Sequence, residues 1–284
     1  MTRNAGFAVG FVVLGLVCQE VGAAIATTLF PNAGPLGMVM LRLVFSAALL
    51  LIIARPALRG HHRSSWTAVV GFGLVLAVMN GFFYLALERL PLGVTVTIEV
   101  LGPLTLSIIV RRRASAWLWA LLALTGAAAL AGGGWDRLDP IGVLYALAAA
   151  ASWAFYILAS ARVGRAFPRL DGLALAMTVG ALVSLPFGIM DAGAALLDPM
   201  IIGLGAAVAV LSSTIPYALE LLALRRLQAS AFAVLMSLGP ATAALAGFVL
   251  LGQHLSWLEI VGIALVVLAS MGAVRSSAAS RTAA

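Results

Sequence analysis

Lysine is absent from this chain of 284 residues, cysteine occurs once, and only 10% of the positions are charged. Each shortage excludes something. A soluble domain of this length carries about a quarter charged residues to keep its surface in water, so most of this surface does not face water. A lone cysteine, Cys18, forms no intramolecular disulfide and no thiolate metal cluster; it reads as a small packing residue. His61, His62 and His254 all sit at the borders of apolar runs. No HExxH helix, GxSxG elbow or phosphate loop is present, so no metal, no cofactor and no enzyme activity is expected. The net charge of +7 is that of 17 arginines against 10 acidic residues, and nearly all the arginines are scattered through short loops. Without a basic stripe interleaved with aromatics, nucleic acid is not an expected partner.

What is abundant is apolar. Residues of the AVILMFWYC set make up 63% of the chain, and its mean hydropathy is +1.12. A helix needs about 20 residues to cross a hydrocarbon core of about 30 Å. Ten runs of suitable length fall near 5–26, 34–54, 66–87, 91–110, 115–133, 140–161, 171–189, 199–222, 229–250 and 256–274. An all-α membrane protein of ten spans is therefore expected.

Loop charge tests that count independently, because arginine in short loops stays on the cytoplasmic side. Arg3 precedes span one, and Arg55, Arg59 and Arg63 follow span two. Arg111, Arg112 and Arg113 follow span four, and Arg162, Arg165 and Arg169 follow span six. Arg225 and Arg226 follow span eight, and Arg275 and Arg281 lie at the chain end. The intervening loops hold Glu88, Asp136, Asp139, Asp191, Asp198 and Glu259, with Arg89 and Arg137 as basic exceptions. Both termini are thus expected in the cytoplasm. A cleaved leader ending at Ala24-Ile25-Ala26 is the competing reading, but its apolar run is too long and Glu20 interrupts it.

The chain also resembles itself. Shifted by 137 positions, Leu87-Glu88-Arg89-Leu90 through Leu101-Gly102-Pro103 aligns with Leu224-Arg225-Arg226-Leu227 through Leu238-Gly239-Pro240, with six identities in seventeen. Five spans is an odd number, so a repeated half must be inverted in the membrane. Residues 1–135 and 136–284 are the expected halves, in the plan of transporters that rock around a midplane site. Pro103 and Pro240 cannot donate to the carbonyls four residues earlier, and Gly102 and Gly239 let a helix or ligand come close. Either a packing kink or the lining of a cavity follows from such breaks, and their recurrence at equivalent places favours lining.

Four ionisable residues lie well inside spans: Glu20, Arg42, Glu99 and Glu220. Each costs about 2.5–3.5 kcal/mol at the centre of a lone helix and so requires a partner, a water cavity or a proton. Glu99, midway along span four and one turn before Gly102, suits a substrate ammonium or a coupling proton better than mere packing. Glu20 and Arg42 match in depth, as an ion pair would. Glu220 shares a helical face with Ser213 and Tyr217, and equally could pair with Arg225 or Arg226. Asn80 with Tyr84 and Trp153 with Tyr156 add polar and aromatic stripes suited to an amphipathic solute. Trp66, Trp117, Trp119, Trp135 and Trp257 fit as interfacial anchors.

Several stretches, in order, carry a resemblance: Leu41-Arg42-Leu43; Pro91-Leu92-Gly93 through Glu99, Gly102 and Pro103; and Ser152-Trp153-Ala154-Phe155-Tyr156-Ile157-Leu158. Leu211-Ser212-Ser213, Pro216-Tyr217, Glu220, Arg226-Leu227, Leu235-Met236-Ser237 and Pro240 continue it. Over essentially its whole length the chain resembles the drug/metabolite transporter superfamily, in its EamA branch, particularly bacterial threonine/homoserine exporters. The resemblance implies ten helices in two inverted halves, residence in the bacterial inner membrane, and export of amino acids. It departs at Gly239, where an acidic residue is expected, and at Gln253, where the loop should hold Gly-Glu. Exporters of aromatic amino acids share the architecture.

The expected activity is alternating-access export of neutral amino acids, threonine or homoserine first. Asn80, Tyr84, Glu99, Trp153, Tyr156, Tyr217 and Ser237 are the expected cavity lining, with the small-molecule substrate and membrane lipid as partners and a monomer as the unit. A lipophilic-cation exporter of the same fold is the alternative, since Glu99 among aromatics would serve it too. A passive channel would want a charged ring or filter. A membrane enzyme would want paired aspartates or a metal set.

Overall fold

The computed structural model describes residues 2–58, 60–111, 138–168, 170–216 and 235–282, with isolated residues between 118 and 129 and at 219, 223 and 232. Among the described residues every regular element is helical.

The helices are α1 (Thr2–Ala33), α2 (Pro35–Ala54), α3 (Arg63–Leu87), α4 (Leu92–Glu99) and α5 (Leu101–Arg111). After the fifth expected span, most of which lies outside the described residues, come α6 (Pro140–Ala166), α7 (Asp171–Ala192) and α8 (Pro199–Ala209). The last two are α9 (Gly239–Leu251) and α10 (Trp257–Thr282). The expected fourth span is therefore divided into α4 and α5. Among the described residues, five stretches are long and apolar enough to cross a membrane: Phe7–Ala33, Pro35–Ala54, Arg63–Leu87, Pro140–Ala166 and Asp171–Leu197. Shorter apolar helices run over Leu92–Leu106, Pro199–Thr214, Gly239–Leu251 and Trp257–Gly272.

Helix starts follow local chemistry. Asp139 precedes Pro140 and accepts from the Ile141 and Gly142 N–H groups at 2.8 and 3.3 Å. Asp198 precedes Pro199 and accepts from Met200 N–H at 2.8 Å. In both, an acidic cap meets orphan donors while proline occupies the position that needs none. Before α10, Ser256 and Glu259 bond reciprocally to each other's backbone N–H, at 2.6 and 3.3 Å, a capping box.

The bundle is closed by helix pairs. The most extensive contact joins α2 to α7, and α3 lies against both α6 and α7. Span eight, α8 with the turn after it, packs on α1 and α2, while α4 lies against α9 and α6, and α1 against α9. Met38, Leu43, Leu76, Tyr84 and Met177 are fully buried in the largest cluster this makes. Large apolar side chains such as Leu144, Leu147, Phe155 and Leu158 of α6 point outward instead, where lipid, as apolar as they are, is the natural solvent.

Candidate functional site

The fourth span breaks early. α4 ends at Glu99, and α5 starts at Leu101, so Gly102-Pro103 sits in the first turn of a new helix, where a missing N–H costs least. Gly239-Pro240 likewise opens α9, with Ser237 buried in the turn before it. Both pairs were expected in mid-helix; each instead opens a helix. Gly102 is required by close approach, since a Cβ there would run into the Ala150 carbonyl of α6. A Cβ built on Gly239 would stand 4.0 Å from Val96, so the start of α9 lies against α4 one turn before Glu99.

Span eight carries a second irregularity. After α8 the backbone widens into one π-helical turn over Val210–Thr214, a local unwinding that re-aims carbonyls and side chains. Arg42 of α2 takes up what it exposes. Its Nη2 donates to the Ser212 carbonyl at 3.2 Å and its Nε to Ser213 Oγ at 3.2 Å. Its Nη1 donates to Tyr84 Oη at 3.4 Å, and the guanidinium lies 5.6 Å from the Tyr84 ring centre, a cation–π distance. Tyr84 is itself fully buried, its ring 5.7 Å from Phe30 and 5.9 Å from Phe83.

Glu20 projects into the same region from α1 and is only 2% exposed. The helix is pinned there: a Cβ on Gly22 would lie 2.9 Å from Ser212 Cβ, so α1 touches the π turn directly. Glu20 and Glu99 lie within electrostatic range of each other and of Arg42. Glu20 and Arg42, expected at matched depth, fall in the same region. Three mid-membrane ionisable residues thus share one neighbourhood, and Arg42 donates there to Ser213, the Ser212 carbonyl and Tyr84.

The other expected lining residues fall into two places. Asn80 is buried on α3, and its Nδ2 donates to the Leu76 carbonyl at 2.8 Å, so part of its amide is committed to its own helix. Trp153 and Tyr156 of α6 are half-buried against the main core, with Tyr156 5.1 Å from Phe72 of α3. Tyr217 and Glu220 lie outside the described residues, as do Arg225 and Arg226. The expected anchor Trp257 is exposed, while the ring of Trp119 covers Gly272 of α10.

Three polar links at the opposite, loop end were not read from the sequence. Asp191, at the end of α7, accepts from Leu36 and Gly37 N–H at 2.7 and 3.2 Å and so caps α2 from another helix. The visible signal is that Gly34-Pro35 opens a helix with no side-chain cap of its own. Gln253, the residue that departs from the expected Gly-Glu, accepts from Leu92 N–H at 3.0 Å and caps α4. Arg89 Nη1 binds Asp139 Oδ2 at 2.7 Å. That bond holds the Asp139 carboxyl below its ordinary range and raises Arg89 further, and both side chains are about a third exposed.

A model of the EamA-like transporter family matches residues 140–275. The threonine/homoserine exporter RhtA of Salmonella typhimurium strain LT2 is 37% identical over 253 residues, 88% of this chain and 85% of that protein. Its counterpart in Escherichia coli K12 is 36% identical over the same shares. An uncharacterized transporter, YwfM, of Bacillus subtilis strain 168 is 27% identical over 84% of this chain and 83% of its own length. One solved crystal structure shares the fold with a TM-score of 0.66 at 20% identity, covering 97% of this chain and 99% of that one.

Proposed function

This chain belongs to the EamA-like transporter family, and on that premise we propose that it exports neutral amino acids, threonine and homoserine first, across the bacterial inner membrane by alternating access. The observation that carries the reading is the grouping of Glu20, Arg42 and Glu99 in one mid-membrane neighbourhood of a chain 36% identical to a threonine/homoserine exporter over 88% of its length. A zwitterion needs an acceptor for its ammonium and donors for its carboxylate, and this neighbourhood holds both. Asn80, Tyr84, Trp153, Tyr156, Tyr217 and Ser237 complete the proposed lining, and both termini face the cytoplasm.

The helix pairings support two inverted halves. Advancing each expected span by five turns the contact of α3 with α6 into that of α8 with α1, and the contact of α3 with α7 into that of α8 with α2. The contact of α4 with α6 becomes that of α9 with α1 in the same way. A two-fold relation between 1–135 and 136–284 would generate such pairs. Asp191, Gln253 and Asp139 each reach across from the second half to the first, which suits a transporter closed at its outer end.

The test is counterflow in proteoliposomes loaded with unlabelled threonine and supplied with labelled threonine outside. Transient, saturable accumulation, competed by homoserine, is expected. Exchange competed by organic cations but not by amino acids would move the assignment to a cation exporter, which two mid-membrane carboxyl groups would also suit.

A further inference from the structure

Within the mid-membrane group of Glu20, Arg42 and Glu99, Glu20 has the least obvious role. Glu20 is 2% exposed, and its Oε2 meets no hydrogen-bond donor among the described residues. An ionisable side chain in mid-membrane without a donor is costly to keep. It is also rigidly placed: Gly22, two residues on, sits against Ser212, and Gly15 lies beside Pro216, its built Cβ 3.7 Å from the proline Cα. The helix that carries Glu20 is thus held against the π turn, and an arriving solute with N–H groups would supply Oε2 with a donor.

We propose that Glu20 is the acceptor for the ammonium group of the exported amino acid, acting jointly with Glu99 at the α4–α5 break. A primary ammonium has three N–H donors and no acceptor, so one carboxylate leaves it under-satisfied and two nearby carboxylates suit it. Where two neighbouring carboxylates are both ionised they repel, and a cation between them relieves that repulsion; an anion or a neutral solute does not. Arg42, in range of both and oriented by Ser213, the Ser212 carbonyl and Tyr84, has the sign that the α-carboxylate requires. The substrate class recognised is thus a primary α-amino acid, with the amine read by α1 and the end of α4. This assignment rests on the reading of the chain as an amino-acid exporter and gives Glu20 a role in binding that an ion pair with Arg42 would not.

Purified full-length protein in detergent tests it through the rise in melting temperature caused by threonine, a binding readout independent of any gradient. Wild type should be stabilised by threonine and not by N-acetylthreonine, which lacks the ammonium. Glu20→Gln should melt at the wild-type temperature without ligand and need roughly tenfold more threonine or greater for the same shift, the worth of one charge-assisted hydrogen bond. Glu20→Asp, which keeps the charge one methylene back, should recover part of the affinity. If Glu20→Gln does not give folded protein, Glu20→Asp decides: a weakened threonine response supports the assignment and an unchanged one overturns it. A wild-type threonine response in Glu20→Gln overturns it, even if gradient-driven efflux is lost, as does equal stabilisation of wild type by N-acetylthreonine. Absence of any threonine response in wild type and every variant alike removes the exporter reading, and this assignment with it.

Discussion

The two polar regions of this bundle are built on opposite terms. At the loop end, Asp191, Gln253 and the Arg89–Asp139 pair join elements far apart in sequence, using backbone N–H groups that a helix start leaves unsatisfied in any case. Each such bond is modest, and where water reaches, it is replaceable. In the middle of the membrane Glu20, Arg42 and Glu99 cluster, where an unmatched charge is costly. The loop end thus has contacts that break and reform at small cost, as the proposed alternating access would need. The centre gathers the groups that the proposed ligand would complete.

The contrast can be pushed hardest at Arg42. Arg42→Met removes the positive charge facing Glu20 and Glu99 together with the donors to Ser213, Ser212 and Tyr84, and should cost about 3–5 kcal/mol, the range for stranding a buried charge. Thermal unfolding in detergent would show it, and amino-acid exchange should disappear. A smaller effect is expected where α1 meets the π turn. Gly22→Val overpacks against Ser212, by about 1–3 kcal/mol, and should lower exchange by shifting Glu20 relative to Arg42.

At the loop end the expected losses shrink. Asp191→Asn weakens the cap on α2, and the loss of a helix cap is worth about 1 kcal/mol; exchange should survive, and a cysteine placed in the 34–37 turn should label faster from outside. The smallest effect belongs to Arg89–Asp139. Because the Asp139 carboxyl titrates below its ordinary value in the folded protein, its stabilising share is present above the unfolded value near pH 4 and is lost as pH falls through the depressed one. Wild type and Arg89→Ala should therefore differ slightly in melting temperature at pH 7, and the difference should vanish under strong acid.

Long apolar helices were legible because hydropathy over twenty residues is hard to mistake: 34–54 became Pro35–Ala54, and 66–87 became Arg63–Leu87. Irregular backbone was not. The Gly-Pro pairs announced a break, but only the structure shows that it falls at Val100, leaving Glu99 at a helix end. The π turn at Val210–Thr214 has no signature in a 3.6-residue pattern, so the Ser212 carbonyl could not have been named as a partner of Arg42. Gln253 looked like the loss of a family residue, because its role is an acceptor for a backbone N–H 161 positions away. Glu20, Arg42 and Glu99 stood out by cost alone, although hydropathy could not say that they gather in one place.

Labelled-threonine exchange by Glu99→Gln, reconstituted in proteoliposomes at the same protein amount as wild type, tests the central assignment most directly. With the mid-membrane carboxylates as the substrate site, exchange should fall to roughly a tenth of wild type or below, the worth of a lost charge-assisted contact, at an unchanged melting temperature. Exchange at the wild-type rate with the same threonine dependence would place the substrate elsewhere in the bundle.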